Sequence, residues 1–150
     1  MTRPEQNKAL IQRICCNDES AMDFLVNCWS PYVHEVDDIM DGDRPDKRDQ
    51  LKTFAKAIAV YTHPFFLKNL FALRAVATLV TVNYADVVEW EKSSDEWKAQ
   101  WADHYRHCAM DMVIAVAHIC GGYEHAFNIS QEQRAICWQD HHHPKTGAPC

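Results

Sequence analysis

Four aspartates stand close together where the apolar pattern of the sequence predicts the end of a helix. They are Asp37, Asp38, Asp41 and Asp43, and Gly42 among them is a typical helix terminator. A helix C-terminus carries a partial negative charge, so each carboxylate there costs about a few tenths of a kcal/mol. A compensating cation is therefore expected. Mg²⁺ is the natural candidate because it binds carboxylates together with water and substrate phosphates.

Helical spacing places His34, Asp37 and Asp41 on one face, opposite the apolar seam of the same helix. Asp38 lies about a quarter turn away. Carboxylates arranged in this way could converge on one ion. The alternative interpretation is a solvated acidic face followed by an N-cap at Asp43.

The run Asp37-Asp38-Ile-Met-Asp41-Gly-Asp43-Arg44 resembles the aspartate-rich motif of class I isoprenoid synthases, and Asn83 and Glu91 resemble part of their second metal motif. The resemblance implies Mg²⁺ ions that hold a substrate diphosphate. Three sets of residues would take part: Asp37, Asp38 and Asp41 as ligands, Asn83 and Glu91 completing the site, and Arg44, Lys47 or Arg48 at the diphosphate. Two departures are Val87 at the hydroxyl position of the second motif and a chain about half as long as the family's.

The same acids would also suit an all-α nucleotide pyrophosphohydrolase, in which carboxylates of facing helices bind Mg²⁺ and water attacks a phosphoanhydride. The paired acidic motifs of those enzymes are not recognisable in this chain. We therefore treat that activity as a neighbouring reaction class.

Two further groups have ligand chemistry. Asp103, His107 and Asp111 recur at four-residue intervals and could join His34 in a second metal site inside a bundle, or form an exposed polar face. A structural Zn²⁺ could be held by Cys137, His141, His143 and Cys150, although their spacing matches no standard zinc finger. A docked polar tail is the simpler interpretation of the second group.

Composition limits the partners and the compartment. The formal charge of −6 argues against nucleic acid, because phosphate contacts need clustered Lys and Arg. The N-terminus has no apolar leader, and seven cysteines without a disulfide pattern favour a reducing cytoplasm. The most apolar stretch, 75–85, is shorter than the roughly 20 residues that span a bilayer, so no membrane is expected.

Apolar residues recur at helical spacing nearly throughout, which predicts an all-α single domain, 1–150, of about five to six helices around one long central helix. The predicted helices are 5–15, 18–41 with a kink or break at Pro31, 43–60, 64–92, 93–120 with a capping box at 93–96, and 130–139. The third is expected to be capped by Asp43 and to bury Leu51, Phe54, Ala55 and Ile58. The fourth is expected to be the buried centre, and 140–150 to be a docked coil.

Two functional hypotheses follow. The first is a Mg²⁺-dependent protein that binds, and acts on, a small molecule carrying a diphosphate. The second is a non-enzymatic interaction or assembly protein that forms a homo-oligomer, with the acidic helix end facing a basic partner. The chain as a whole is similar to small helical proteins of tailed bacteriophages, which would place it in the host cytoplasm.

Overall fold

The computed structural model describes residues 3–43 and 46–142, without the side chains of residues 3, 4, 6, 49 and 137–142. The described part is helical and contains no strand, which confirms the predicted all-α single domain. Its elements in chain order are α1 (Arg3–Ile14), α2 (Glu19–Asp23), a π-helical segment (Phe24–Trp29), α3 (Ser30–Met40), α4 (Lys47–Thr62), α5 (Pro64–Lys68), α6 (Leu70–Trp90), α7 (Glu96–Tyr105) and α8 (Met110–His142).

Just before Pro31, where a kink or a break was predicted, the structure has a wider π-helical turn. The N–H of Ser30 donates to the carbonyl of Leu25, five residues earlier in the chain, whereas an α-helix joins residues four apart. The hydrogen-bond pattern of the backbone has therefore changed before Pro31. Proline lacks an N–H and crowds the preceding turn, and a wider turn accommodates both effects. The indole Nε1 of Trp29 then donates to the carbonyl of Ala109 at 3.3 Å. This contact joins the π-helical segment to the start of α8.

The hydrophobic core lies where α2, the π-helical segment, α5, α6 and α8 meet. Its largest fully buried side chains include Phe24, Phe66, Ile14, Leu73 and Met112. Helix α6 packs on α7 and α8, α3 packs on α4, and α1 packs on the second half of α8. His125 Nε2 lies 3.0 Å from the Ile14 carbonyl and helps to hold α1 there.

Helix α4 differs from the prediction at its start and on its apolar side. Asp46, not Asp43, is its N-cap and accepts from the N–H of Arg48 at 2.7 Å. Leu51, Phe54 and Ile58, which were expected to be buried, are each more than 60% exposed. The apolar pattern is present, but within the described chain nothing covers it.

Helix α6 is the longest uninterrupted helix, and only one side of it is buried. Leu73, Ala77, Val80 and Val87 face the core, whereas Phe71 is 90% exposed. The prediction of a central helix buried on most faces is therefore wrong on its outer side. By length and composition this helix could also cross a bilayer, and 28% of its apolar window is buried. One such helix is weak evidence for a membrane span, because core helices often have the same composition.

The helix predicted from 93 to 120 starts at Glu96 and is interrupted by a turn at residues 106–109, where hydrogen bonds join residues three apart. The interruption lets α7 and α8 both pack on α6. The predicted stop at Gly121 and Gly122 is a kink: Gly122 has φ 79 and ψ −174, and α8 continues beyond it. The predicted start at Ser130 is wrong, since Ser130 lies inside α8. The backbone of 140–142 is helical, and 143–150 of the predicted coil lie outside the described residues.

Candidate functional site

The acidic end of α3 comprises Asp37, Asp38, Asp41 and Asp43. Gly42, with φ 80, ends the helix, and its N–H donates to the carbonyl of Ile39. The N–H of Asp43 donates to the carbonyl of Asp38 at 2.9 Å, which completes a Schellman-type closure. Asp43 therefore closes α3 through its backbone, whereas the Asp37 side chain lies on the side of α3 near α6.

Electrostatic crowding surrounds Asp37. Desolvation raises the pKa of its carboxyl, and the nearby Asp41 and Asp38 carboxylates raise it further. Arg106 and His34 act in the opposite direction and lower that pKa. The structure thus brings together the predicted residues Asp37, Asp41 and His34. It also adds Arg106, which the sequence analysis did not identify.

Arg106 supplies part of the positive charge that the acidic end of α3 was expected to need. It stands in the turn between α7 and α8, and its guanidinium forms an ion pair with Glu91, just beyond α6. Glu91 and Asp37, two of the predicted metal ligands, are therefore both linked electrostatically to one guanidinium. Arginine is suited to this role because its planar group offers several donors to carboxylates.

An apolar cleft of about 190 Å³ adjoins this cluster, between α3 and α6. Tyr84 connects the cleft and the acidic cluster: it lines the cleft, and the charges of Asp37 and Asp41 raise the pKa of its phenol. Desolvation, with the charge of Asp37 next in size, raises the pKa of Tyr84 well above its usual value. The phenol is therefore neutral at physiological pH. The other cleft residues are mostly apolar and include Trp29, Val33, Val36, Met40, Tyr61, Ala77 and Val80.

No contact joins the other predicted ligands and binding residues that the structure describes to this cluster. Asn83 is half-buried on α6 and, as the neighbour of Tyr84, lies about 100° around the helix from it. Lys47 and Arg48 are exposed in the first turn of α4. Arg44 lies outside the described residues. The structure thus places Asp37 and Asp41 together and links Glu91 to Asp37 only through Arg106.

The second predicted cluster is divided by the turn between α7 and α8. Asp103 is exposed near the end of α7, His107 lies in the turn, and Asp111 lies in the first turn of α8. The three residues therefore do not form the continuous helical stripe that their spacing predicted. Desolvation raises the pKa of Asp111, and Arg134, whose guanidinium is 3.7 Å away, lowers it.

Within residues 3–43 and 46–142, no group of three or more His, Cys, Asp or Glu side chains is arranged to hold a metal ion. The predicted Zn²⁺ ligands Cys137, His141, His143 and Cys150 fall outside the described side chains. The Mg²⁺ site stays a prediction, with Asp37, Asp38 and Asp41 as its hard oxygen donors.

Sequence reasoning also missed a partly buried ion pair between α3 and α4. Glu35 is only 7% exposed, and its carboxylate pairs with the ammonium of Lys56, which also donates to the Pro31 carbonyl at 3.4 Å. The sequence contained a signal for this pair, because Glu35 stands next to the predicted apolar seam, which includes Tyr32. An acid beside such a seam needs a partner.

The outer side of α6 carries exposed apolar residues at regular spacing. We call it the open face, and it consists of Phe71, Ala75, Thr78, Val82, Ala85 and Glu89, all of which are exposed. Their intervals alternate between four and three residues, which is the spacing of a helix that packs along another helix. Leu79 flanks this face and is 60% exposed.

Comparison with known proteins gives no further guide to function: no family model, curated protein or solved structure matches the chain.

Proposed function

We propose that this chain is a non-enzymatic assembly protein that associates with copies of itself through the exposed apolar sides of α4 and α6. The observation that carries the proposal is the open face of α6, where Phe71 is 90% exposed. Contiguous apolar patches of more than a few hundred Å² are uncommon on monomeric proteins and usually mark an interaction surface.

The apolar side of α4 supports the same proposal. Leu51, Phe54 and Ile58 stand at positions i, i+3 and i+7 of one helix, and each is largely exposed. Helices with one apolar side gain most of their stability by burying it. A second molecule would supply the cover that the described part of this chain does not.

The proposal is tested by the mass of the purified full-length protein at 1–100 µM, measured by sedimentation velocity and light scattering. We expect a concentration-dependent dimer or larger species. In such a species each partner would bury about 800 Å², the area typical of a stable protein–protein contact. A monomer throughout that range would overturn the proposal. Flotation with vesicles of phosphatidylcholine and phosphatidylglycerol is the parallel measurement, and recovery of a monomer with the lipid would overturn it in favour of a membrane surface.

Mg²⁺-dependent binding of a diphosphate at the acidic end of α3 is a second candidate function. It is favoured by the mutual repulsion of Asp37, Asp41 and Asp38, which a bound cation relieves, and by the apolar cleft beside them. In this hypothesis Asp37, Asp38 and Asp41 hold Mg²⁺, with Glu91 and Asn83 behind them. Arg44, Lys47 and Arg48 meet the diphosphate.

Two features weigh against that candidate. Arg106 already offsets part of the negative charge. The cleft of about 190 Å³ is also smaller than the roughly 300–1,000 Å³ typical of ligand pockets. The test is thermal unfolding with Mg²⁺, with inorganic pyrophosphate and with both, for wild type and Asp38→Asn. Stabilisation that needs both additions, about 2.7 kcal/mol at one hundred times the dissociation constant, and that is lost in the variant supports it; no shift excludes it.

A further inference from the structure

The two ends of the open face of α6 differ in the sign of their charge, and this difference indicates which molecule packs against it. Only three charged residues lie within the helix: Arg74 near its N-terminus, and Asp86 and Glu89 near its C-terminus. Arg74 borders the open face and Glu89 belongs to it, and both are exposed. Among the described residues neither Arg74 nor Glu89 takes part in an ion pair.

We propose that two copies of this chain pack their open faces against each other in antiparallel orientation, about a twofold axis near Thr81 and Val82. This inference rests on the proposed function and specifies its contact. In a twofold contact the same patch of both copies is used, so a residue n positions before the axis meets one n positions after it. Arg74 of each copy then lies opposite Glu89 of the other.

Charge complementarity selects this orientation over a parallel one. Parallel pairing would set Arg74 beside its own copy and Glu89 beside its own copy, and juxtaposed like charges oppose association. The antiparallel arrangement replaces both repulsions with two equivalent attractions. The helix dipoles favour it as well, because each positive N-terminus then lies beside a negative C-terminus.

The side chains of the open face suit a close contact between helices. Ala75, Thr78 and Ala85 are small, and they alternate with the larger Phe71 and Val82 along the face. Small residues shorten the distance between helix axes, and larger ones fill the spaces between them. Since each residue advances the helix by 1.5 Å, the face from Phe71 to Glu89 is about 27 Å long, or five turns.

A bilayer is a poorer match for the same surface. An interfacial helix typically borders its apolar face with several lysines and arginines that meet anionic lipids. Here one cation and one acid stand at opposite ends of the face. That arrangement complements a copy of itself, because the twofold axis brings the two ends together.

The first test is charge reversal in the full-length protein, with the dissociation constant of the dimer measured by sedimentation. Arg74→Glu alone and Glu89→Arg alone should each weaken the dimer on the order of tenfold, and the double variant should return to within a few-fold of wild type. Because both residues are exposed, circular dichroism should be unchanged, and so should thermal unfolding at concentrations where all the proteins are monomeric. If the single reversals leave the dissociation constant unchanged, the antiparallel pairing is overturned and the proposed self-assembly stands. If wild type is monomeric, both are overturned.

The second test is cross-linking with a short thiol-reactive bifunctional reagent, with wild type as the control for the native cysteines. Val82→Cys should give covalent dimer above the wild-type level, since the two copies of residue 82 meet near the axis. Phe71→Cys should not, because residue 71 lies 11 positions from Val82 and its copies are about 33 Å apart. Equal cross-linking of both variants indicates parallel pairing, and no gain for Val82→Cys removes the contact from α6.

Discussion

At the scale of single residues, the acidic end of α3 is held in an electrostatically unfavourable state. The pKa of Asp37 is raised by desolvation and by its neighbour Asp41, and Arg106 offsets only part of this. A carboxyl whose pKa is higher in the folded than in the unfolded state binds its proton more tightly when folded. Its contribution to stability therefore declines as the pH rises between the two pKa values, and the full cost applies at pH 7.

Replacing Asp37 by Asn removes that cost. We expect Asp37→Asn to raise the free energy of unfolding by about a few tenths of a kcal/mol at pH 7 without divalent ions, since solvent screens a partly exposed group. The gain should vanish below about pH 3, where the wild-type carboxyl is protonated. Urea unfolding across this pH range measures it, with Asp43→Asn as the control at the same helix end. A loss of stability at pH 7 would mean that the pairing with Arg106 outweighs the repulsion.

The sequence located the acids but not their partners. Asp37, Asp38 and Asp41 were recognisable because their position at a helix end is unfavourable by itself. Arg106 was not recognisable as a partner, because it approaches the acids only through the turn at 106–109. The apolar spacing of that region is unbroken and gave no sign of the turn. A contact between residues about seventy positions apart depends on how helices pack, and local periodicity does not contain that information.

At the scale of the helices, one partly buried ion pair links α3 and α4. Glu35 is buried on α3, and the Lys56 ammonium bridges from α4 to its carboxylate and to the carbonyl of Pro31. The pair supplements the packing of α4 in the core, where Val60 is fully buried. Breaking a buried ion pair by removing one partner is strongly destabilising.

We therefore expect Lys56→Met to lower the free energy of unfolding by about 2 kcal/mol, since it removes the ammonium that pairs with the mostly buried Glu35 carboxylate. Chemical denaturation followed by circular dichroism measures the change. Lys47→Met, at an exposed position in the first turn of the same helix, is the matched control and should change stability by less than about 0.5 kcal/mol. Equal effects of the two substitutions would show that the buried pair does not hold α4 in place.

The presence of these helices could be predicted from the sequence, but what covers each side of them could not. The apolar spacing identified α4 and α6, and Gly42 marked the end of α3 as expected. Periodicity shows that one side of a helix should be covered, but it does not show which molecule provides the cover. The expected burial of Phe54 on α4 and of the outer side of α6 was wrong because the described fold covers only their other sides.

At the scale of the whole molecule, the two exposed apolar sides belong to separate helices. The net charge of −6 opposes close approach of two copies, so short-range contacts must provide the affinity. Raising the ionic strength screens that net repulsion and weakens the exposed Arg74 and Glu89 pairs at the same time. Salt does not screen the burial of apolar side chains at the centre of the open face, and this burial should therefore dominate the affinity.

Assembly through α6 is best tested by sedimentation velocity on wild type, Val82→Asp and Val26→Asp. The two valines are similarly exposed, at 51% and 46%, but only Val82 lies on the open face. Val82→Asp loses the burial of the exposed half of the side chain, about 1 kcal/mol at each of two symmetric positions, and places two like charges near the axis, so it should weaken self-association by at least about thirtyfold. Val26→Asp should associate like wild type. Equal association of all three proteins, or a monomeric wild type, would contradict assembly through α6.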